Sequence, residues 1–259
     1  GIFEITLPKD LLKIGQKVQA IIINGGEELR RIPSYATRVV QDSANYLWCA
    51  EIDDALEDNF NWTDTSFKPC KTPYIYECHI GMASEEYKVS SYREFTENIL
   101  PKIKKLGYNT IQIMAVMEHP YYASFGYQVS NFFAPSSRYG ESKELKKLIN
   151  TAHKMGITVL LDVVHSHAIK NEAEGLGRFD GTEYQYFHEG PKGMHSAWDT
   201  RLFDYGKNEV LHFLLSNLKY WMEVFHFDGF RFDGVTSMLY HDHGIGSAFV
   251  NYGMYFSNN

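Results

Sequence analysis

The chain has 259 residues, is 44% hydrophobic and 22% charged, and carries a formal net charge of −7. This is a globular composition, long enough for one large domain or two smaller ones, and its acidic balance argues against nucleic acid or an anionic lipid surface as partner. No apolar run approaches the roughly 18 residues that signal a membrane span. The three cysteines, Cys49, Cys70 and Cys78, fit neither a disulfide framework nor a zinc spacing, so a reducing, cytoplasmic setting is expected.

The N-terminal Gly1-Ile2-Phe3 resembles neither a signal peptide nor an initiator methionine, and reads as a processed or engineered start, or as the start of a fragment. Residues 2–7 alternate like a strand. A second apolar run over 18–23 closes on the turn Asn24-Gly25-Gly26, and residues 46–52 form a third. Short strands between turns predict part of an antiparallel β-sandwich over residues 1–53. Residues 54–72 are polar, contain Pro69, and read as a linker.

From residue 73 strands and helices alternate. Strands are expected at 74–79, 110–115, 158–164 and 229–233. Helices are expected at 92–106, 142–155 (capped by Ser142) and 209–225, the first two stopped by Gly107 and Gly156. Lys102, Lys104 and Lys105 form a solvated helix face. The βα order predicts a parallel sheet with right-handed crossovers. The long connections, 116–141 and 165–208, both follow strands, which places a site at the strands' carboxyl ends. A (β/α)8 TIM-type barrel and a doubly wound open sheet both do this. No glycine-rich phosphate loop follows a strand, so no nucleotide is expected, and no organic cofactor is implied.

Two strand ends carry the chemistry. In Gly229-Phe230-Arg231-Phe232-Asp233-Gly234-Val235, alternation turns Arg231 and Asp233 the same way, and a cation that close favours an ionised carboxylate. That arrangement presents an anionic nucleophile. In Asp162-Val163-Val164-His165-Ser166-His167 an apolar strand likewise runs into polar groups. The bland alternatives are a turn-capping Asp233, a structural ion pair at Arg231, and polar loop histidines. The pairs His165/His167 and His241/His243 also permit a metal-dependent hydrolase, although Arg231 would repel a cation. No metal is assigned.

These two stretches resemble conserved regions of the α-amylase superfamily. Residues 76–82, 123–128, 198–203 and 236–241 are similar to the eukaryotic-type glycogen (1,4-α-glucan) branching family. The resemblance covers essentially the whole chain. It implies a β-sandwich remnant followed by about the first four strands of a (β/α)8 barrel, acting on α-glucans such as glycogen or amylose. It also implies Asp233 as nucleophile, Arg231 as its electrostatic partner, and Asp162 and His167 shaping the subsite of the sugar to be cleaved. Tyr127 would stack on that sugar, and Trp198, Asp199 and Arg201 would contact the glucan from a long loop. His241-Asp242-His243 departs from the family's histidine run. The family's acid/base glutamate has no counterpart here, so the isolated chain is expected to lack activity. The remaining alternatives are a non-catalytic glucan-binding fragment and an α-amylase-type hydrolase.

Overall fold

The computed structural model describes residues 4–8, 10–57, 59–246 and 248–257. Its first part holds five strands, two more than the sequence pattern shows: β1 (Lys17–Val18), β2 (Ala20–Asn24), β3 (Glu27–Arg31), β4 (Val39–Gln41) and β5 (Trp48–Glu51). The expected apolar run 18–23 splits between two sheets. β1 joins β5 and β4 in an antiparallel sheet, whereas β2 forms a separate hairpin with β3 across Gly25-Gly26, both at positive φ. Residues 4–7 carry no strand, and Ile2 and Phe3 lie outside the described residues. A small core of Ile32, Val39, Ala50 and Ala134 ties this part to the rest.

The remainder runs β6 (Ile75–Cys78), α1 (Tyr92–Glu94), a π turn (Phe95–Ile99), α2 (Leu100–Lys105), β7 (Thr110–Ile113), β8 (Met117–Glu118), β9 (Asn131–Pro135), α3 (Ser142–Lys154), β10 (Thr158–Val163), β11 (His167–Ile169), β12 (Met194–His195), β13 (Thr200–Leu202), α4 (Asn208–Phe225), β14 (Gly229–Phe232), α5 (Val235–Leu239) and α6 (Tyr252–Ser257). β6, β7, β10 and β14 pair in parallel and in chain order, the sequence of neighbours that a barrel builds. The predicted helix 92–106 is interrupted because Pro101 has no N–H to donate, and the π turn absorbs the mismatch just before it. The predicted cap of α3 shifts by one residue. Glu141 is the N-cap, the Glu144 carboxylate accepts its N–H at 3.3 Å, and Ser142 is the first helical residue, donating instead to Asp53 at 3.1 Å.

The sheet is two-faced. Ile111, Ile113, Val159, Leu161 and Val163 are fully buried beneath the helices. α4 answers with Val210, Phe213, Leu214, Asn217, Tyr220, Trp221 and Phe225, the spacing of one helical face. On the alternate positions Glu77, Gln112, Leu160 and Arg231 remain at least partly accessible. This is the arrangement of a barrel wall, with helices outside and polar groups inside. The described residues of 53–72 contain neither helix nor strand, and the segment docks on the opposite end of the sheet: Cys70 N–H donates to Thr158 Oγ1 at 2.9 Å, and Phe67 stacks on His153 at 4.1 Å. No helix among the described residues is long and apolar enough to cross a membrane.

Candidate active site

The parallel register sets Asp162 of β10 beside Arg231 of β14. Arg231 Nη1 donates to Asp162 Oδ2 at 2.7 Å and to Asp233 Oδ1 at 2.8 Å. Tyr127, arriving on the loop after β7, donates its hydroxyl to the same Asp162 Oδ2 at 2.7 Å. Four of the residues singled out in the sequence thus form one hydrogen-bonded chain, Tyr127–Asp162–Arg231–Asp233, at the carboxyl ends of adjacent strands. The loop is bent for this purpose. Phe125 and Gly126 both have positive φ, and a Cβ at residue 126 would lie 1.9 Å from the Ala115 carbonyl oxygen, so only glycine fits.

Burial separates the two carboxylates. Burial pushes Asp162 up to about 6, against the opposing pull of Tyr127 and Arg231, and the Asp233 charge adds to the rise. Its Oδ1 is buried without a partner among the described residues. Asp233 is more accessible, and its Oδ2 has no hydrogen-bond partner among the described residues. Burial works against the charge on Arg231, but the two carboxylates outweigh it and raise its pKa. Tyr127 is raised by burial and then by its bond to Asp162, so it stays protonated and donates.

An open cleft of about 510 Å³ lies over this chain, lined by Ser124, Tyr127, Gln128, His167, Ala197, Trp198 and Asp233. The two sequence-adjacent histidines serve different purposes. His165 is interior and bonds Asn217 at 2.8 Å, while His167 faces the cleft and packs on Trp198 at 4.9 Å between ring centres. Burial lowers both to about 4, so both imidazoles are neutral at physiological pH. Among the described residues no group of three or more His, Cys, Asp or Glu is placed to hold a metal ion.

Asp199 and Arg201 are not in the cleft. Asp199 has φ 52° and turns to Lys170 at 2.5 Å, exposed on the surface. Arg201 donates to the carbonyls of Glu183 and His188 and lies over Phe187, bracing its own loop. Asp199 is itself the left-handed residue, and the chain turns there, directly after Trp198. Ser124 and Gln128 lie within the 123–128 stretch singled out in the sequence but were given no role there; Ala197 and His195 had no signal beyond their proximity to Trp198 along the chain.

Residues 96–200 match the family model for the α-amylase catalytic domain. The chain is 54% identical over 257 residues to the 1,4-alpha-glucan-branching enzyme of Yarrowia lipolytica, covering 96% of this chain and 37% of that protein. It is 56% identical to the enzyme of the same name from Equus caballus, covering 92% and 34%. It therefore spans about a third of the length of these curated relatives. Among solved structures, a GBS pullulanase in complex with maltotetraose aligns with a TM-score of 0.67 at 21% identity, over 83% of this chain and 33% of that one. The catalytic module of a glycogen-degrading pneumococcal virulence factor aligns at 0.66 and 21%, over 86% and 38%. Over nearly its whole length the chain is homologous to about a third of the length of the 1,4-alpha-glucan-branching enzymes, and its four parallel strands are part of the TIM-barrel-type fold of the α-amylase catalytic domain.

Proposed function

We propose that these residues supply the nucleophile half of a 1,4-α-glucan branching site, within a protein of the length of its relatives. The observation that carries this reading is the hydrogen-bonded chain Tyr127–Asp162–Arg231–Asp233 beneath an open, aromatic-walled cleft. Residues 1–53 would be the end of a carbohydrate-binding β-sandwich, 54–72 a linker, and 73–259 the first half of the barrel. A cytoplasmic location accompanies the role in glycogen synthesis.

In this scheme Asp233 attacks the anomeric carbon of an α-1,4-linked glucose. The bond to O4 of the next residue breaks, O4 takes a proton from a general acid elsewhere in the protein, and a glycosyl ester forms on Asp233. A glucan 6-hydroxyl then attacks the same carbon, gives its proton to that acid's conjugate base, and releases the carboxylate. Two inversions retain the α configuration and leave an α-1,6 branch. Arg231 holds Asp233 in position through its 2.8 Å hydrogen bond. Asp162 and His167 receive the sugar to be cleaved, Tyr127 covers it, and Trp198 offers a flat apolar face. Asp199 and Arg201 then act on the shape of the glucan-facing loop and not by contact.

Proton NMR of amylose incubated with the protein extended to the relatives' length tests the reading. New α-1,6 anomeric signal without new reducing ends is expected. New reducing ends alone would establish hydrolysis instead. The 259-residue chain by itself is expected to bind amylose without turnover.

A further inference from the structure

Trp198 stands on a built support. Its indole is stacked on the imidazole of His195, with ring centres 3.9 Å apart and planes within 1°. His195 is 2% exposed and Trp198 is 40% exposed, so one face of the indole is covered and the ring still lines the cleft. The two residues close a tight turn, Trp198 N–H donating to the His195 carbonyl at 3.2 Å. β12, which ends at His195, is fixed by pairing with β13.

His195 also reaches across to the loop that presents Asp233. Its Nε2 lies 3.2 Å from Ser237 Oγ in α5. Ser237 in turn exchanges hydrogen bonds with His243, its Oγ donating to the His243 carbonyl at 3.2 Å and its own carbonyl facing His243 Nδ1 at 3.0 Å. α5 begins immediately after Gly234, whose Cα edge abuts Trp198: a Cβ there would sit 3.4 Å from the indole and 2.5 Å from Ser166 Oγ. The indole is thus held on one face by His195 and at its edge by the turn that follows Asp233.

We infer that His195 is a positioning residue, which fixes the Trp198 indole as a rigid platform for a glucan ring and ties that platform to the Asp233 turn through Ser237. The inference rests on the proposed glucan site. A flat, neutral ring is the right support: it fills the space behind the indole without a charge to solvate. Burial first, and then the nearby His243, lower the His195 pKa. A fixed indole loses no rotamer freedom when a sugar stacks on it, and the energy of ordering one side chain is worth about tenfold in affinity.

The chain labelled with 5-fluorotryptophan tests this by ¹⁹F NMR, since its four tryptophans give separate reporters. In the wild type Trp198 is expected to give one sharp line. His195→Ala should shift or broaden that line alone, and His195→Phe should restore it. Maltoheptaose should move the Trp198 line in the wild type and His195→Phe at about tenfold lower concentration than in His195→Ala. An unchanged Trp198 line in His195→Ala overturns the assignment. Should His195→Ala unfold, seen as movement of all four lines, His195→Asn carries the same expectation and the same refutation, because it keeps a polar partner for Ser237 without the flat ring. A wild-type Trp198 line that maltoheptaose does not move overturns the glucan platform, while the line shape without sugar still decides what holds the indole.

Discussion

The two ends of the parallel sheet hold clusters of similar composition and opposite character. At the carboxyl ends Arg231 is shared between Asp162 and Asp233. At the amino ends His153 is shared between Asp64 and Asp228: its Nδ1 lies 2.8 Å from Asp64 Oδ2 and its Nε2 lies 3.0 Å from Asp228 Oδ2. Carboxylates only accept, so both ring nitrogens of His153 carry protons and the ring is an imidazolium. His226 Nδ1 donates to the same Asp64 oxygen at 2.8 Å, and Val159 N–H donates to Asp228 at 2.8 Å. Phe67 covers one imidazole and Trp62 stacks on the other at 3.7 Å. No buried side-chain atom of this lower cluster lacks a partner among the described residues. The upper one leaves Asp162 Oδ1, Ser166 Oγ and His167 Nδ1 buried without partners among the described residues, beside an open cleft. Unsatisfied polar capacity is costly to a fold and useful to a ligand, so the comparison separates the end that serves chemistry from the end that serves stability.

The sharpest way to break this division is Asp233→Asn in the protein of relatives' length. Branching activity should fall by about 10⁴-fold or more, as for loss of a nucleophile, with a urea unfolding midpoint close to wild type. At the other end His153→Ala should lower the unfolding free energy by about 3 kcal/mol, because it leaves two buried carboxylates without their shared cation, and should leave maltoheptaose affinity unchanged. Equal losses of stability from both variants would erase the distinction.

Titration sharpens it further. Burial disfavours the charge on His153, but the hydrogen bonds of Asp228 and Asp64 and their charges outweigh burial and raise its pKa. Its contribution is therefore complete below the unfolded value of about 6.5 and is lost as pH rises through the folded one. For Asp64 burial is likewise overcome, here by His226 and His153, and the pKa is lowered. That contribution is complete above the unfolded value of about 3.9 and is lost as pH falls through the folded one. Amide protection factors over residues 60–70 should accordingly be greatest between about pH 4 and 6.5 and decline on either side.

Asp162 has the opposite sign. An acid raised to about 6 by burial destabilises the fold increasingly as pH climbs from about 3.9 to 6, and fully above that. Asp162→Asn should raise stability at pH 7.5 by about 2 kcal/mol and flatten the pH profile between 4 and 6, while weakening glucan binding. The smallest effect belongs to Asp199→Ala. An exposed pair with Lys170 should contribute less than about 0.5 kcal/mol, and maltoheptaose affinity should stay within twofold of wild type.

The sequence made β10 legible as an apolar run that ends at polar groups and β14 as a short strand bounded by Gly229 and Gly234, and alternation alone aimed Arg231 and Asp233 together. Elements without that contrast stayed hidden. β3 reads Glu27-Glu28-Leu29-Arg30-Arg31 and has no apolar period, because only its hairpin partner and the loop carbonyls that take Arg31 hold it in place. β9 is wholly buried yet passes for loop, since Asn131 and Pro135 mark its ends. The roles of His165 and His167 could not be divided by alternation, because the chain leaves β10 at Val163 and re-enters a different sheet at His167. Asp199 and Arg201 were grouped with Trp198 through the family resemblance, which carries no information on the turn that Asp199 makes at φ 52°.

The most direct measurement is to trap the proposed glycosyl ester. The protein of relatives' length would be incubated with a 5-fluoro-maltosyl fluoride, whose fluorine slows breakdown of the intermediate, and then peptide-mapped by mass spectrometry. One maltosyl adduct is expected on the peptide that contains Asp233, absent from Asp233→Asn. An adduct on Asp162 or Glu77, or a branching-active protein that acquires none, would contradict Asp233 as the nucleophile.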